Sequence, residues 1–214
     1  MPPVDWYYDF ISPFAYLASQ RLDTLPAGVE LRPRPVLFGV LLDHWQTRGP
    51  AEIAPMRRFT FRHIAWLAQR DGIPLRLPPC HPFNPLRLLR LSLALGGEVA
   101  LVQRLFRFVW AEGKSADDPA AWAALIAELG VPDAEARIAA PAVKAQLRTH
   151  TEQALTRGVF GVPTFIVGDE LFWGYDALPF LAAFLRDPGL LRSPALAAAD
   201  ALPQGRPRPG LVAG

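Results

Sequence analysis

Apolar and aromatic positions at the start of the chain follow the spacing of a strand, a helix and a second strand. Residues 4–10 form an almost continuous apolar run, which predicts a buried strand. The run ends at Ser12-Pro13, and the apolar positions after it predict a helix over residues 13–24. Leu31–Val36 predicts a second strand, whose two prolines favour a sheet edge. This order is typical of the opening unit of a parallel sheet.

The middle of the chain, residues 38–128, has apolar positions at helical spacing and almost no runs of β-branched residues. Prolines divide it into five predicted helices: Phe38–Gln46, Ala54–Asp71, Leu86–Ala94, Gly97–Ala111 and Pro119–Leu129. Asn84-Pro85 and Asp118-Pro119 carry residue types that begin helices, a capping side chain followed by proline. The sequence therefore predicts an all-helical insertion.

Helical spacing returns at residues 133–157 and predicts one long helix. Residues 158–176 contain two apolar strands around Gly168-Asp169, which predicts a β-hairpin. Residues 177–186 then predict a closing helix. Proline, alanine and glycine dominate the remainder, and we expect residues 191–214 to form a flexible tail.

Together these elements predict an α/β protein with a thioredoxin-like fold and an inserted all-helical domain. The predicted thioredoxin-like domain is discontinuous and comprises residues 1–37 and 130–190. Residues 38–129 form the predicted insertion, and the tail lies outside both domains.

Composition and charge narrow the classes of function. The 214 residues are 51% hydrophobic and 20% charged, so the chain can bury a core. The net charge of +2 comes from dispersed arginines without a basic patch, so we expect no nucleic-acid partner. No apolar run is long enough for a membrane helix and no secretory signal is visible, so we expect a cytoplasmic protein with no membrane partner.

Cysteine and histidine usage narrows the chemistry further. Cys80 is the single cysteine, which excludes an internal disulfide, and we expect it to be a small buried side chain. The four histidines show no metal-ligand spacing, so no metal site is expected.

Ser12 is the first candidate for chemistry, because it lies at a predicted helix start, where backbone N–H groups favour an anion. Thioredoxin-like proteins carry the first cysteine of Cys-x-x-Cys there. This chain has Ser12 and Ala15, so we expect no dithiol–disulfide activity. No spacing to a histidine or aspartate makes a serine triad certain, so a hydrolase has little support. We predict instead that this position holds an anion supplied by a ligand.

Val162-Pro163 is the second candidate motif. X-Pro bonds adopt the cis form at low cost, and we expect a cis bond here, as in other thioredoxin-like folds. The backbone of Val162 would then face Ser12 and pair with an extended peptide, as an added strand does.

Five motifs, in their order and spacing, carry a resemblance to known families. They are Asp9-Phe10-Ile11-Ser12-Pro13-Phe14-Ala15-Tyr16-Leu17-Ala18, Pro35-Val36-Leu37-Phe38-Gly39, Pro82-Phe83-Asn84-Pro85, Gly158-Val159-Phe160-Gly161-Val162-Pro163-Thr164-Phe165 and Phe172-Trp173-Gly174-Tyr175-Asp176. The chain resembles the bacterial 2-hydroxychromene-2-carboxylate isomerases and the kappa-class glutathione transferases, within the DsbA-like thioredoxin group.

The resemblance implies a function. Members of these families bind glutathione, often as homodimers, and the isomerases interconvert 2-hydroxychromene-2-carboxylate and trans-o-hydroxybenzylidenepyruvate. The expected protein is thus a glutathione-dependent isomerase of a small aromatic carboxylate, active in the catabolism of aromatic compounds. Glutathione is its implied cofactor, and a homodimer its implied assembly.

The resemblance also implies roles for individual residues. Ser12 is the implied catalytic residue. Glutathione binding is implied for Ser12, Val162, Pro163, Trp173, Gly174, Tyr175 and Asp176. The candidates for the substrate pocket are Thr47, Phe83 and Asn84. Asp176 is expected to pair with the glutathione ammonium, and the same residue also suits a helix cap.

The insertion departs from the family pattern. Relatives commonly carry Asn, Lys and Asp at the positions aligned with Thr47, Met56 and His63, so glutathione is expected to bind more weakly or in a different arrangement. Trp66 lies in a helical pattern and is expected in the core. Two other functions stay open at this point. One is a kappa-type glutathione transferase or peroxidase, and the other is a non-catalytic thioredoxin-like module that binds a thiol or a peptide.

Overall fold

Four strands form one mixed sheet in a computed structural model that describes residues 2–205. They are β1 (Val4–Tyr8), β2 (Leu31–Pro35), β3 (Thr164–Val167) and β4 (Glu170–Trp173), in the spatial order β2-β1-β3-β4. β1 pairs in parallel with β2 and antiparallel with β3, and β3 pairs antiparallel with β4. The predicted strand–helix–strand unit and the predicted hairpin are therefore both present.

Ten α-helices lie within the described residues. Their bounds are α1 Pro13–Ser19, α2 Phe38–His44, α3 Ala54–Arg70, α4 Leu86–Ala94, α5 Val99–Trp110, α6 Pro119–Leu129, α7 Ala134–Ala139, α8 Pro141–Thr156, α9 Leu178–Arg186 and α10 Pro194–Asp200. Single 3-10 turns occur at Leu22–Thr24, Pro50–Glu52 and Leu190–Arg192. Among residues 2–205, no helix combines the length and the apolarity that a membrane crossing needs.

Of the two predicted helix caps, one is present as predicted and the other differs in detail. The Asp118 side chain accepts hydrogen bonds from the N–H groups of Ala120 and Ala121, as predicted for the start of α6. The Asn84 Oδ1 accepts from the N–H of Leu86 at 3.0 Å, but Pro85 is the residue directly before α4. Both side chains are therefore used at helix starts.

The core is built around β1, whose side chains are buried on both faces of the sheet. Trp6 and Tyr8 enter the larger hydrophobic cluster, whereas Tyr7 belongs to a smaller one. The ring centroid of Phe106 in α5 lies 6.2 Å from that of Trp6 and 4.7 Å from that of Phe10. Because α5 belongs to the predicted insertion, the larger cluster is continuous across the predicted domain boundary. The division into a thioredoxin-like domain and a helical insertion therefore remains a prediction about the order of segments along the chain.

Two predicted helices are wrong in extent. The helix predicted over residues 133–157 is divided into α7 and α8, because Ala140 is extended (φ −55°, ψ 132°) before Pro141. The residue before a proline is disfavoured in the helical conformation, and this should have ended the predicted helix. The helix predicted over residues 13–24 ends at Ser19 and is followed by a 3-10 turn.

Three further expectations differ from the structure. Cys80 is exposed rather than buried, in the connector that precedes α4. Trp66 is 55% exposed, because α3 turns Ile64 and Leu67 to the core instead. Part of the predicted flexible tail forms α10, and residues 206–214 of that tail lie outside the described residues.

Phe165→Ala is expected to lower the free energy of unfolding by about 3–5 kcal/mol, because it removes a fully buried ring and leaves a cavity. Phe165 stacks on Trp6 at 6.2 Å in the middle of the sheet. Phe59→Ala is the matched control, since that ring is 67% exposed. Urea denaturation measures both, and equal losses in the two variants would contradict the assignment of the core.

Candidate active site

Ser12 caps α1 and reaches across the fold to the segment before β3. Its Oγ accepts a hydrogen bond from the N–H of Ala15 at 3.2 Å and donates to the carbonyl of Val162 at 3.1 Å. Pro13 occupies the first helical position, as predicted. The side chain is 7% exposed, so the hydroxyl lies at the edge of the buried region. Ser12 therefore has one O–H proton, which is already directed at Val162.

The turn that carries Ser12 is stabilised by the side chain of Asp9, a residue that is 2% exposed. Its Oδ1 accepts from the N–H of Ile11 at 3.1 Å, and its Oδ2 accepts from the N–H of Phe38 at 3.0 Å. Burial raises the pKa of Asp9 to about 7, although these backbone donors favour the ionised form. Asp9 thus fixes both this turn and the start of α2.

Two side chains from the helical segment hold the same turn from the other side. The indole N–H of Trp110 donates to the carbonyl of Phe10 at 2.8 Å. The Nε2 of His81 lies 2.9 Å from the carbonyl of Ile11, which assigns the proton to that nitrogen. Burial lowers the pKa of His81 and so favours the neutral ring. The position of Ser12 therefore depends on residues that are distant in sequence.

The Val162-Pro163 peptide bond is cis, as predicted, and a second cis bond, unforeseen from the sequence, joins His81 to Pro82. The carbonyl of Pro163 accepts from the N–H of Gly174 at 2.9 Å, which ties this segment to the end of β4. Among the described residues, the N–H of Val162 donates to no protein acceptor. The predicted backbone donor is therefore available, whereas the carbonyl of Val162 is engaged by Ser12.

Two glycines shape the neighbouring wall. A Cβ at Gly161 would lie 2.4 Å from the indole Nε1 of Trp173, so only glycine admits that ring. Gly174 has φ +101°, and a Cβ there would lie 2.5 Å from an Asp176 carboxylate oxygen. Trp173 is 53% exposed and contacts Phe160 edge-to-face at 5.0 Å. The wall therefore presents aromatic surface beside Val162.

A cavity of about 830 Å³ opens at this wall. It brings together five of the predicted glutathione-binding residues: Val162, Trp173, Gly174, Tyr175 and Asp176. Ser12 adjoins it through its hydrogen bond to Val162. Further aromatic lining comes from Phe14, His63 and Trp66, and further charged lining from Arg21, Arg70, Asp71 and Arg186.

Asp71 contacts three other polar side chains that line this cavity. It forms two hydrogen bonds with Arg70, at 2.9 Å and 2.7 Å, and accepts a third from the Tyr175 hydroxyl at 2.6 Å. Arg21 lies 3.7 Å away. The hydrogen bonds from Arg70 lower the pKa of Asp71 to about 2, and burial raises that of Tyr175 to about 12. Tyr175 thus uses its hydroxyl within the protein, which the sequence did not indicate.

The three residues predicted for the substrate pocket do not line this cavity. Thr47 is exposed after α2. Phe83 packs its ring 6.3 Å from that of Trp110, beneath the Ser12 turn. The side chain of Asn84 is used at the start of α4. Sequence reasoning instead missed Arg21 and Asp71, which come together only through the packing of α1, α3 and α9. Among residues 2–205, no three His, Cys, Asp or Glu side chains could together hold a metal ion.

Comparison with known proteins places this chain in a family. Residues 3–186 match the family model of the DSBA-like thioredoxin domain. The chain is 31% identical over 196 residues to the 2-hydroxychromene-2-carboxylate isomerase of Sphingobium xenophagum, with 86% of this chain and 98% of that protein covered. It belongs to the 2-hydroxychromene-2-carboxylate isomerase family of DSBA-like proteins.

Two further comparisons are with a solved isomerase structure and with a kappa-class transferase. A solved 2-hydroxychromene-2-carboxylate isomerase superposes with a TM-score of 0.75 at 28% identity, over 94% of this chain and 99% of that one. Glutathione S-transferase kappa 2 of Caenorhabditis elegans is 26% identical over 208 residues, which cover 86% of this chain and 92% of that protein. The predicted α/β, thioredoxin-like fold is therefore confirmed.

Asp9→Asn is expected to remove a pH-dependent contribution to stability. The pKa of Asp9 is raised in the folded protein, so folding favours the protonated carboxyl. As pH rises from about 4 to about 7, the unfolded chain releases this proton first and the wild type loses stability relative to the variant. Urea denaturation across this range measures the difference between the two unfolding free energies.

The difference between the two unfolding free energies separates the effect of Asp9 from that of groups whose titration changes stability in the opposite direction. Burial lowers the pKa of His150 to about 4, which makes stability rise with pH up to the ordinary histidine range, and both proteins carry this group. A difference that stays constant between about pH 4 and about pH 7 would show that Asp9 is ionised throughout.

Proposed function

We propose that this protein is a glutathione-dependent isomerase of the 2-hydroxychromene-2-carboxylate type. One observation carries the proposal: the Ser12 hydroxyl donates to the carbonyl of Val162, a cavity residue whose N–H donates to no protein acceptor within residues 2–205. The Ser12 hydroxyl and this N–H are the two donors that a bound peptide thiolate needs. The identity to isomerases over most of the chain supports the reaction type.

The residues present fit glutathione. An extended peptide pairs with free backbone groups as an added strand does, and Val162 offers its N–H for such a pair. Its carbonyl becomes available when the Ser12 hydroxyl turns to another acceptor. The kappa-class relative, named as a glutathione S-transferase, supports the same ligand.

Glutathione, when bound, supplies a thiolate nucleophile that can add to a conjugated double bond and leave again, which permits cis–trans isomerisation. Ser12 would stabilise the ionised thiol by donating its one proton. A hydrogen bond to a charged group contributes about 1.5–3 kcal/mol, which lowers a thiol pKa of about 8.5 by about 1–2 units. Helix α1 has only seven residues, so we assign this effect to the hydroxyl rather than to the helix dipole.

The cavity also suits an aromatic carboxylate. Phe14, Trp66 and Trp173 line it with ring surfaces that stack on a planar substrate. Three guanidinium groups and two carboxylates among the lining residues leave one positive charge, which favours an anion. Trp66 is thus assigned to substrate binding rather than to the core.

Disulfide exchange is not part of this proposal. The first and last positions of the thioredoxin motif are Ser12 and Ala15, and the one cysteine, Cys80, lies outside the cavity. We therefore expect no dithiol–disulfide activity. The cytoplasmic location, which was expected from the sequence, and the homodimer, which the resemblance implies, both remain predictions.

A kappa-type transferase or peroxidase is the second candidate, because the kappa 2 relative matches over most of its length. Parallel assays with the chromene carboxylate, an aryl halide and a hydroperoxide, each with glutathione, separate the two enzymes. Glutathione binding without turnover in any assay would favour the non-catalytic module.

Ser12→Ala is expected to raise the pKa of the bound glutathione thiol by about 1–2 units and to lower kcat about tenfold or more at neutral pH. The far-ultraviolet absorbance of the thiolate, titrated in the complex, measures the pKa, and the spectral shift of the chromene measures kcat. Loss of the cap should lower the unfolding free energy by only about 1 kcal/mol, so the variant remains folded.

Cys80→Ser is the matched control for a protein thiol. Cys80 is exposed and does not line the cavity, so this variant is expected to keep the wild-type thiol titration and rate. An Ser12→Ala protein with an unchanged thiol pKa would remove Ser12 from the mechanism.

A further inference from the structure

The cavity extends beside α1 to a group of charged side chains. Helix α1 has seven residues and rises about 10 Å. Phe14 lines the cavity near the start of this helix, and Arg21 lines it just beyond the end. A ligand whose thiol lies at Ser12 would therefore place its other end, about 10 Å away, beside Arg21. A γ-glutamyl-cysteinyl unit has this length, roughly that of three extended residues.

Asp71 and Tyr175 position Arg21 at this end of the cavity. Both carboxylate oxygens of Asp71 accept hydrogen bonds from Arg70, and one also accepts from the hydroxyl of Tyr175. With these contacts made, Asp71 has little capacity left for a ligand. Its remaining neighbour is Arg21, whose guanidinium lies 3.7 Å from Oδ1, beyond a normal hydrogen bond. Asp71 thus attracts Arg21 toward the cavity without occupying its donors.

Two guanidinium groups that line the cavity, those of Arg21 and Arg186, form no hydrogen bond within residues 2–205. Of the two, Arg21 lies beside Asp71, and that contact is its one ion pair within this part of the chain. The Asp176 carboxylate, which lines the same cavity, forms no ion pair within those residues. An open guanidinium and an open carboxylate on one cavity match the two charges of an α-amino-acid group.

Resting on the proposed function, we infer that Arg21, positioned by Asp71 and Tyr175, binds the α-carboxylate of the γ-glutamyl residue of glutathione. Arg21 thereby selects a γ-glutamyl thiol over other thiols. This assignment supplies a cationic contact from the segment after α1 and does not require the insertion positions Met56 and His63.

Isothermal titration calorimetry with glutathione and two analogues tests the assignment. 4-Aminobutyryl-cysteinylglycine lacks the α-carboxylate, and glutaryl-cysteinylglycine lacks the ammonium. The wild type is expected to bind the aminobutyryl analogue about tenfold or more weakly than glutathione. Arg21→Gln is expected to weaken glutathione by a similar factor and to leave the affinity for the aminobutyryl analogue unchanged.

Control variants separate recognition from folding. Arg148→Gln removes an exposed guanidinium of α8 that does not line the cavity, and it should bind every ligand as the wild type does. Asp71→Asn should shift the discrimination between glutathione and the aminobutyryl analogue toward that of Arg21→Gln, because Arg21 loses its anchor. Arg21→Lys should restore part of the discrimination, since it restores the charge.

The outcomes distinguish this inference from the proposed function. Failure of the wild type to bind glutathione overturns both. Glutathione binding with no preference over the aminobutyryl analogue overturns the role of Arg21 and leaves the function standing. An equal loss of affinity for both ligands in Arg21→Gln makes Arg21 a structural residue and also overturns the inference.

Discussion

The site depends on one constraint, the pairing of backbone polar groups in the turn that follows strand β1. β1 is buried on both faces, so the chain must turn sharply within a region where each backbone polar group needs a partner. The partners come from far away in sequence: Asp9 bridges to α2, Trp110 reaches from α5, and Val162 accepts from Ser12. The turn that presents Ser12 is therefore assembled by the whole fold.

This arrangement explains why the helical segment and the sheet act together. Trp110 and His81 lie in or beside the predicted insertion, yet they bind carbonyls of the turn that follows β1. Phe106 of the same segment fills the aromatic core above the strand. A change in these helices would thus alter the position of Ser12 without contact with any ligand.

Local chemistry was readable from the sequence, whereas contacts between distant segments were not. Ser12-Pro13 predicted a capped helix from adjacent residues, and a cis bond at Val162-Pro163 was expected because other thioredoxin-like folds have one there. Pro141 carried the same kind of local signal and should have divided the helix around it. The grouping of Arg21, Asp71 and Tyr175 is tertiary, and no spacing in the chain announces it.

The residues predicted for the substrate pocket lie outside this cavity for a related reason. Thr47, Phe83 and Asn84 were selected from aligned motifs, but motif position does not determine which way a side chain faces. Phe83 supports the turn from below, and Asn84 is occupied at a helix start. His63 of α3 and Asp71, which directly follows that helix, line the same cavity, which gives this helix a larger part in the site than the motifs implied.

The single proton of Ser12 has one more consequence. With no ligand, that proton satisfies the carbonyl of Val162, so any anion that takes it leaves a carbonyl without a donor. A simple anion such as chloride has nothing to offer in return. A peptide thiol carries its own backbone N–H and can replace the donor that it removes. Under the proposed function, this resting hydrogen bond would favour anions that are attached to a peptide over simple anions.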